Sequence, residues 1–496
     1  MNKNYISRIC SLCCGIAAAL VLTGCNDYLD KLPDERAELD TDLKITQLLV
    51  SAYPTVTNNL LVEMISDNMG DNGRAYASPV LCEELYRLQD TREEGNDSPY
   101  SVWGGYYESV ATVNQAVEAI EAMGNPASQQ GALAEAKLIR AYSMFMLAQT
   151  FCMAWNPDKA DEYLGLPYPL IPEQDINATY TRGTLRELYA AIDKDIEEAL
   201  PHIGDAVQSY KTPKYHFNLK AAYAFAARFN LHYMNYETAI RYASQVLGND
   251  PTSVMRNYDP YRDLGRTDFA NLWIRSEEDA NIMLLATYSI APRYLTWATS
   301  SRFCHNATMA SYETFWVDMP WGGGSSGNTV IYANKLYGTN QCVAFPTYEE
   351  QFEYTDKVNG YGYIHGVTRA FTTNETLLCR AEAKANLNDL GGAINDLRLW
   401  AQGYDVSSGN RMDTLPNGDV NLTLAKIKNF YAVGGNANWV PVLHNQYICP
   451  DWTLSEDQER VIDCVLHFRR LETIHTGLRW HDLKRYGIEI SHRQGT

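Results

Sequence analysis

Tyrosine and tryptophan residues concentrate between positions 288 and 337, in a stretch that is also rich in polar side chains. The candidate ligand-contacting rings are Tyr288, Tyr294, Trp297, Trp316 and Trp321, and Tyr332 and Tyr337 extend the pattern. The polar neighbours are Arg293, Arg302, Asn306, Asp318 and Asn328. An exposed ring stacks on a sugar face because C–H groups meet its π cloud while the hydroxyls stay free for polar partners. For each ring the alternative is packing in the core or anchoring a loop.

A second group of polar residues lies in the turn-forming segment 67–76. Asp71, Asn72, Arg74 and Tyr76 carry donors and acceptors that could bind sugar hydroxyls. Carboxylate and amide oxygens there could instead hold calcium, but the spacing of an EF-hand is absent. The third alternative is an ordinary surface turn whose polar groups bond to one another.

Cys25 directly follows a short apolar stretch near the N-terminus. The basic residues Lys3 and Arg8 precede the apolar run Ile16–Leu22, which ends in the lipobox-like sequence Leu22-Thr23-Gly24-Cys25. This order predicts a lipoprotein signal peptide over 1–24, cleavage before Cys25, and attachment of lipid to its thiol. The alternative is an ordinary secretory signal with a chance cysteine. No later stretch is apolar for long enough to span a bilayer.

Other site chemistries have little support. The cysteines that remain after residue 25 are odd in number and scattered, without the spacing of a zinc site or a disulfide framework, so buried free thiols are expected. No HExxH or P-loop pattern occurs. We therefore predict no catalytic residue, no metal and no cofactor. The 60 acidic residues leave a carboxylate pair of the glycosidase type as an open alternative.

The charge of the chain restricts its partners. The 496 residues carry a formal net charge of -19. Such a surface repels phosphate backbones, so nucleic acid is not an expected partner. The 34 tyrosines and 10 tryptophans fit either a large core or a surface for neutral ligands.

Helical periodicity predominates outside the aromatic stretch. A helix is predicted from Asp42 to Ser66, and a helix pair over 218–248. Within that pair, Tyr236, Ala239 and Ala243 have the spacing of a tetratricopeptide unit, and Leu390, Ala393 and Leu397 repeat it. Capping boxes are predicted at Thr184 with Glu187 and at Ser455 with Gln458.

Between 252 and 370 helical periodicity fades, and only a short strand at Met283–Ala286 is predicted. The predicted organisation is therefore a signal peptide (1–24), a lipidated tether (25–40), a helical part (41–251), a loop-rich ligand-binding region (252–370) and a second helical part (371–496). Near the C-terminus, Trp480 is expected to point inward, with Arg479 and Asp482 paired at the surface.

Four segments, in this order, resemble the SusD/RagB family of Bacteroidetes outer-membrane lipoproteins. They are Cys25–Asp30, Glu135–Tyr142, Ala381–Ala385, and Arg469–Glu472 followed by Gly477–Arg485. The resemblance extends over most of residues 20–490. At Thr473–Thr476 the chain departs from the family, which usually has an acidic residue near the glycine.

The resemblance implies a mostly α fold of tetratricopeptide-like units with an irregular ligand-binding subdomain. It also implies a protein anchored by lipid to the outer membrane and facing outward, which captures oligosaccharides for a SusC-like TonB-dependent transporter. Three alternatives remain open: a peptide-capturing lid of such a transporter, a pure protein-binding scaffold, and a glycoside hydrolase.

Overall fold

The computed structural model describes most of the chain after the predicted signal and tether. The described residues are 39–175, 177–205, 210–261, 263–297, 301–317, 319–321, 337–338, 342–404, 415, 419–432, 453–490 and 492. The predicted signal peptide, Cys25 and nearly all of the tether lie outside them. So do Asp318, Asn328 and Tyr332, and the side chains of Trp297 and Tyr337. No helix within these ranges has the length and apolar character needed to cross a bilayer.

The fold is mostly α-helical, as predicted. The helices are α1 (Asp42–Ser51), α2 (Asn59–Met64), α3 (Val80–Tyr86), α4 (Pro99–Ala122), α5 (Gln130–Phe151), α6 (Leu185–Ala199), α7 (Leu219–His232), α8 (Tyr236–Leu247), α9 (Arg266–Trp273), α10 (Ala307–Tyr312), α11 (Thr373–Asn386), α12 (Leu390–Tyr404), α13 (Leu424–Phe430), α14 (Glu456–Glu472) and α15 (Leu478–Tyr486). A π-helical segment spans Pro292–Trp297.

Consecutive helices pack as pairs, which is the arrangement of tetratricopeptide-like units. Helices α4 and α5, α7 and α8, and α11 and α12 pack against each other, and α8 also packs against α11. The small residues Ala239, Ala243 and Ala393 are buried, which lets the helices of the last two pairs approach closely. The predicted pair over 218–248 and both predicted capping boxes are confirmed.

The continuous helix predicted from Asp42 to Ser66 is wrong. Helix α1 ends at Ser51 and α2 begins only at Asn59. Pro54 lies in the break, where it has no N–H to donate and disfavours the helical conformation at Tyr53. The apolar periodicity continues across the break because both short helices bury residues in the same core.

Strands are few and mostly belong to the 252–370 region. The main sheet has the antiparallel order β2 (Asn281–Thr287), β7 (Tyr361–Thr372) and β6 (Glu350–Asp356). Strand β2 confirms the strand predicted at Met283–Ala286. Two-residue strands form the other pairs: β1 (Gly70–Asp71) with β3 (Phe303–Cys304), and β4 (Tyr337–Gly338) with β5 (Val343–Ala344).

In the C-terminal helix α15 the predicted surface position of Arg479 and Asp482 is wrong, while Trp480 packs against the core as predicted. Arg479 and Asp482 are buried, whereas Trp480 is half-buried. Arg479 binds Asp67, and Asp482 accepts hydrogen bonds from Arg469 and Arg485. Burial of these charges is tolerated because each cation has a carboxylate partner in bonding distance.

Candidate functional site

Pairing of β1 with β3 brings the 67–76 loop against residues 301–306. Arg302 donates two hydrogen bonds to the carboxylate of Asp71, at 2.9 and 3.0 Å, and a third to Glu83 at 3.1 Å. Partial burial acts to raise the pKa of Asp71, but the bonds from Arg302 and the Gly73 N–H outweigh it and lower that pKa. Two candidate segments that are distant in sequence are therefore neighbours in the fold.

The polar atoms of Asp71 and Asn72 are already engaged by the protein. The amide nitrogen of Asn72 donates to the Ser301 carbonyl at 3.1 Å, and its oxygen accepts from Asn306 at 3.3 Å. These two residues thus hold the loop in place. Of the other loop candidates, Arg74 is exposed and Tyr76 is half-buried.

The calcium alternative has no supporting geometry. Asp67 is bound by Arg479 at 2.7 Å, and Asp71 is bound by Arg302. Within the described ranges, no group of three or more His, Cys, Asp or Glu side chains is arranged to hold a metal ion.

The candidate aromatic rings differ widely in exposure. Trp321 is only 1% exposed and packs edge-on against Phe468, with ring centroids 5.7 Å apart. This burial in the core argues against Trp321 as a stacking ring. Trp316 and Tyr294 are half-buried and pack against the same core. The side chain of Trp297 is not among those that the structure describes.

Among the predicted rings whose side chains the structure describes, Tyr288 is the most exposed. It is 40% exposed and lies beside Tyr363 of β7, which is 59% exposed; their ring centroids are 5.7 Å apart at an interplanar angle of 60°. The backbone N–H of Tyr288 donates to the Thr55 carbonyl at 2.7 Å. The next two residues, Ser289 and Ile290, bond to the buried carboxylate of Asp97 at 2.6 and 2.8 Å. The position of Tyr288 is thus fixed from both sides.

Strands β6 and β7 form a hairpin whose outer part exposes aromatic rings on both faces. Because side chains alternate along a strand, Tyr361 and Tyr363 share a face with Glu353, the cross-strand partner of Tyr363, and with His365. We call Tyr288, Tyr361, Tyr363, Glu353 and His365 the tyrosine face.

The opposite face of the hairpin carries Phe352 and Tyr354, whose rings meet edge-on at 4.8 Å. A side chain at Gly362 would lie 2.7 Å from the Phe352 ring, so this ring covers the glycine. Both faces therefore expose rings, but in the register only the tyrosine face places a carboxylate directly across from one.

The π-helical segment is tied to the same hairpin. Arg293 donates to both carboxylate oxygens of Glu350 on β6, at 3.0 and 2.8 Å. This pair connects the segment that carries Tyr294 to the strand that carries Glu353. Glu350 lies on the same side of β6 as Phe352, so the segment supports the hairpin from the face opposite the tyrosine face.

Tyr361 and Tyr363 are not among the residues predicted from the sequence. The signal was present: aromatic residues alternate at Phe352 and Tyr354 and again at Tyr361 and Tyr363, around a turn. That alternation is typical of a hairpin, in which every second side chain faces the same way. The arrangement offers rings for stacking and, beside them, a carboxylate and an imidazole for hydrogen bonds to hydroxyls.

The N-terminal part of the chain matches a family model. The model, described as SusD-like and "Starch-binding associating with outer membrane", covers residues 27–231. A SusD-like protein from Formosa agariphila is 21% identical over 403 residues, which are 79% of this chain and 73% of that protein.

Solved structures of SusD-like proteins share the fold over most of the chain. A putative sugar-binding protein from Bacteroides vulgatus superposes with a TM-score of 0.61 at 14% identity, over 92% of this chain and 89% of that one. A SusD-like carbohydrate-binding protein from the same species gives 0.58 at 15% identity, over 90% and 84%. A SusD superfamily protein from Bacteroides fragilis gives 0.57 at 16% identity, over 92% of both chains. Residues 27–231 match the family model, and solved SusD superfamily structures share the fold along nearly the whole chain; both findings support the resemblance to the SusD/RagB family.

Proposed function

We propose that this protein is a cell-surface lipoprotein that captures oligosaccharides and delivers them to a SusC-like TonB-dependent transporter in the outer membrane. The observation that carries the capture step is the exposed pair of Tyr288 and Tyr363, held in fixed positions beside polar side chains. The match of residues 27–231 to the family model and the sugar-binding descriptions of structures with the same fold support the ligand class.

In this proposal the tyrosine face binds the glycan. Tyr288 and Tyr363 stack on successive sugar rings, while Glu353 and His365 bond to the hydroxyls at their edges. Arg74, Tyr76, Tyr294, Trp297 and Trp316 remain candidates for contacts elsewhere along the glycan. The proposed role of this face is capture and not hydrolysis.

The anchoring step rests on the N-terminal sequence. Lipid on Cys25, followed by the polar tether to residue 40, would hold the helical body at the outer surface of the membrane, within reach of a transporter. Expression of Cys25→Ala in a Bacteroidetes host tests this step. The variant is expected to lose palmitate labelling and to leave the membrane fraction. Unchanged labelling would contradict lipidation at this cysteine.

The direct test of capture is affinity gel electrophoresis of the soluble protein (residues 26–496) in gels that contain single polysaccharides. Retardation by one polysaccharide, without shortening of that polysaccharide, is the expected result. Release of shorter chains would establish hydrolysis instead. A lack of retardation across plant, algal, bacterial and host polysaccharides would contradict glycan capture, and peptide capture would then be tested with a peptide library.

A further inference from the structure

A separate cleft lies between helix α4 and the extended segment that follows α5. It has a volume of about 500 Å³. One wall is a stripe on α4 formed by Trp103, Tyr107, Ala111 and Asn114, which follow each other at helical spacing. The other wall is the segment from Pro167 to Arg182. None of the predicted site residues and none of the tyrosine face lines this cleft.

Specific hydrogen bonds hold the two walls in position. The Tyr107 hydroxyl donates to the Pro167 carbonyl at 2.9 Å, and the Asn114 amide donates to the Pro169 carbonyl at 2.9 Å. Arg140 fixes the orientation of that amide by donating to its oxygen at 2.9 Å. Proline keeps the outer wall extended because its ring fixes φ and removes a donor. The cleft is therefore preformed by the fold.

The lining of the cleft is apolar, and its polar groups bind protein partners. The Asn114 amide and the Tyr107 hydroxyl are used as just described. Glu173 accepts a hydrogen bond from Tyr180, and Arg182 donates to the Gly165 carbonyl at 2.7 Å. A sugar placed against Trp103 and the prolines would bury hydroxyls that these side chains cannot bond, and each such group costs about 1–3 kcal/mol. This lining therefore disfavours a glycan.

Aromatic and aliphatic groups at the mouth extend the apolar surface outward. Ile171 is 74% exposed, and Tyr180 and Trp103 are also exposed. Trp103 is held in place by its ring contacts with Tyr107 at 5.0 Å and Phe151 at 5.2 Å. A volume of this size is typical of sites that enclose a small organic molecule. We propose that the cleft is a second binding site, for an uncharged, apolar molecule or substituent built of aromatic rings.

The test uses the neutral fluorescent probe N-phenyl-1-naphthylamine, whose emission rises in apolar surroundings. The variant Ala111→Trp adds a large side chain at an exposed lining position on α4, so it fills the cleft without removing a core contact. Glu121→Trp adds the same side chain at an exposed position of the same helix, outside the cleft, and is the matched control. We expect saturable binding by the unmodified protein, at least about tenfold weaker binding by Ala111→Trp, and no change for Glu121→Trp.

Two results would overturn the proposal. One is a failure of the unmodified protein to bind the probe saturably, which would shift the interpretation of the apolar mouth to a protein contact. The other is equal binding by Ala111→Trp and Glu121→Trp, which would place the probe elsewhere. Retardation by polysaccharide is measured in the same variants, so that binding at the cleft and binding at the tyrosine face can be distinguished. Ala111→Trp is expected to retain it, and Tyr363→Ala is expected to lose it while still binding the probe.

Discussion

Arg479 donates two hydrogen bonds to the carboxylate of Asp67, at 2.8 and 2.7 Å, although the two residues are 412 positions apart in the sequence. Arg470 strengthens the same junction by donating to the Asp67 carbonyl at 2.7 Å. The pair fixes the C-terminal helix to the start of the 67–76 loop. The C-terminal helix and the 67–76 loop thus stabilise each other's positions.

Removal of this buried pair should destabilise the protein strongly. Asp67→Ala leaves the buried guanidinium of Arg479 without its carboxylate, and we expect the free energy of unfolding to fall by about 3–5 kcal/mol. Urea denaturation, monitored by circular dichroism, measures this change in the free energy of unfolding. Asp161→Ala removes the exposed partner of Arg186 and should have no measurable effect. Equal effects of the two substitutions would contradict a structural role for the Asp67–Arg479 pair.

Truncation of either exposed tyrosine should weaken glycan binding. Tyr288→Ala and Tyr363→Ala each remove a stacking ring, and we expect about tenfold weaker binding, equivalent to about 1.4 kcal/mol. Isothermal titration with oligosaccharides from the retarding polysaccharide measures the change. Tyr100→Ala removes another exposed tyrosine and serves as the control. If only Tyr100→Ala weakened binding, the tyrosine face would be the wrong site.

Trp321 should contribute to stability and not to binding. Trp321→Ala removes a buried ring that packs on Phe468, and we expect a loss of about 3–5 kcal/mol in the free energy of unfolding. Below its unfolding transition, the variant should bind glycan as the unmodified protein does. A stable variant with lost binding would return Trp321 to the ligand site.

The carboxyl of Asp97 should make stability depend on pH. Burial raises its pKa from 3.8 to about 6, and this outweighs the lowering effect of the bonds from Ser289 and Ile290. Between these two values the unfolded chain has lost the proton while the folded protein keeps it. The contribution of Asp97 to stability is therefore full below about pH 4 and is lost as the pH rises through 6.

Asp97→Asn removes this titration while keeping a side chain that can bond to Ser289 and Ile290. Asparagine also tolerates the positive φ of 67° at this position. As the pH rises from 4 to 7, the free energy of unfolding of the variant should increase by on the order of 2 kcal/mol relative to that of the unmodified protein. Urea unfolding at both values measures the difference. A difference that does not change with pH would contradict a raised pKa.

Gly477 should not tolerate a side chain. Its φ is +78°, and a Cβ there would lie 2.5 Å from a methyl carbon of Val62. We expect Gly477→Ala to lower the free energy of unfolding by about 3 kcal/mol, because backbone strain and overpacking act together. Gly124 has a similar φ of +83° with nothing within 4 Å, so Gly124→Ala should show the strain alone, about 1–2 kcal/mol. Thermal unfolding of both variants separates the two effects, and equal losses would contradict the close approach to Val62.

The helical part of the fold was predictable because its causes are local. Periodic apolar residues, the capping boxes at Thr184 and Ser455, and the small residues Ala239 and Ala243 each act within a few turns of helix. The wrong helix over 42–66 arose where an apolar pattern continued across Pro54. There the local effect of proline on the backbone outweighs periodicity.

The candidate site was only partly predictable, since exposure is not a property of the sequence. Trp321 and Tyr288 lie in the same aromatic stretch, yet the core covers one and leaves the other beside Tyr363. Likewise, Asp71 is polar and lies in a turn, but Arg302 engages its carboxylate.

The sequence by itself determined the helical class, the capping of its helices, the family resemblance and the concentration of aromatic residues, since these depend on residue type and short spacing. Only the tertiary structure decided which rings face solvent, that Arg479 meets Asp67, and that α4 and the Pro167–Arg182 segment enclose a cleft. Those features depend on contacts between residues far apart in the chain, and such contacts are fixed only when the whole core packs.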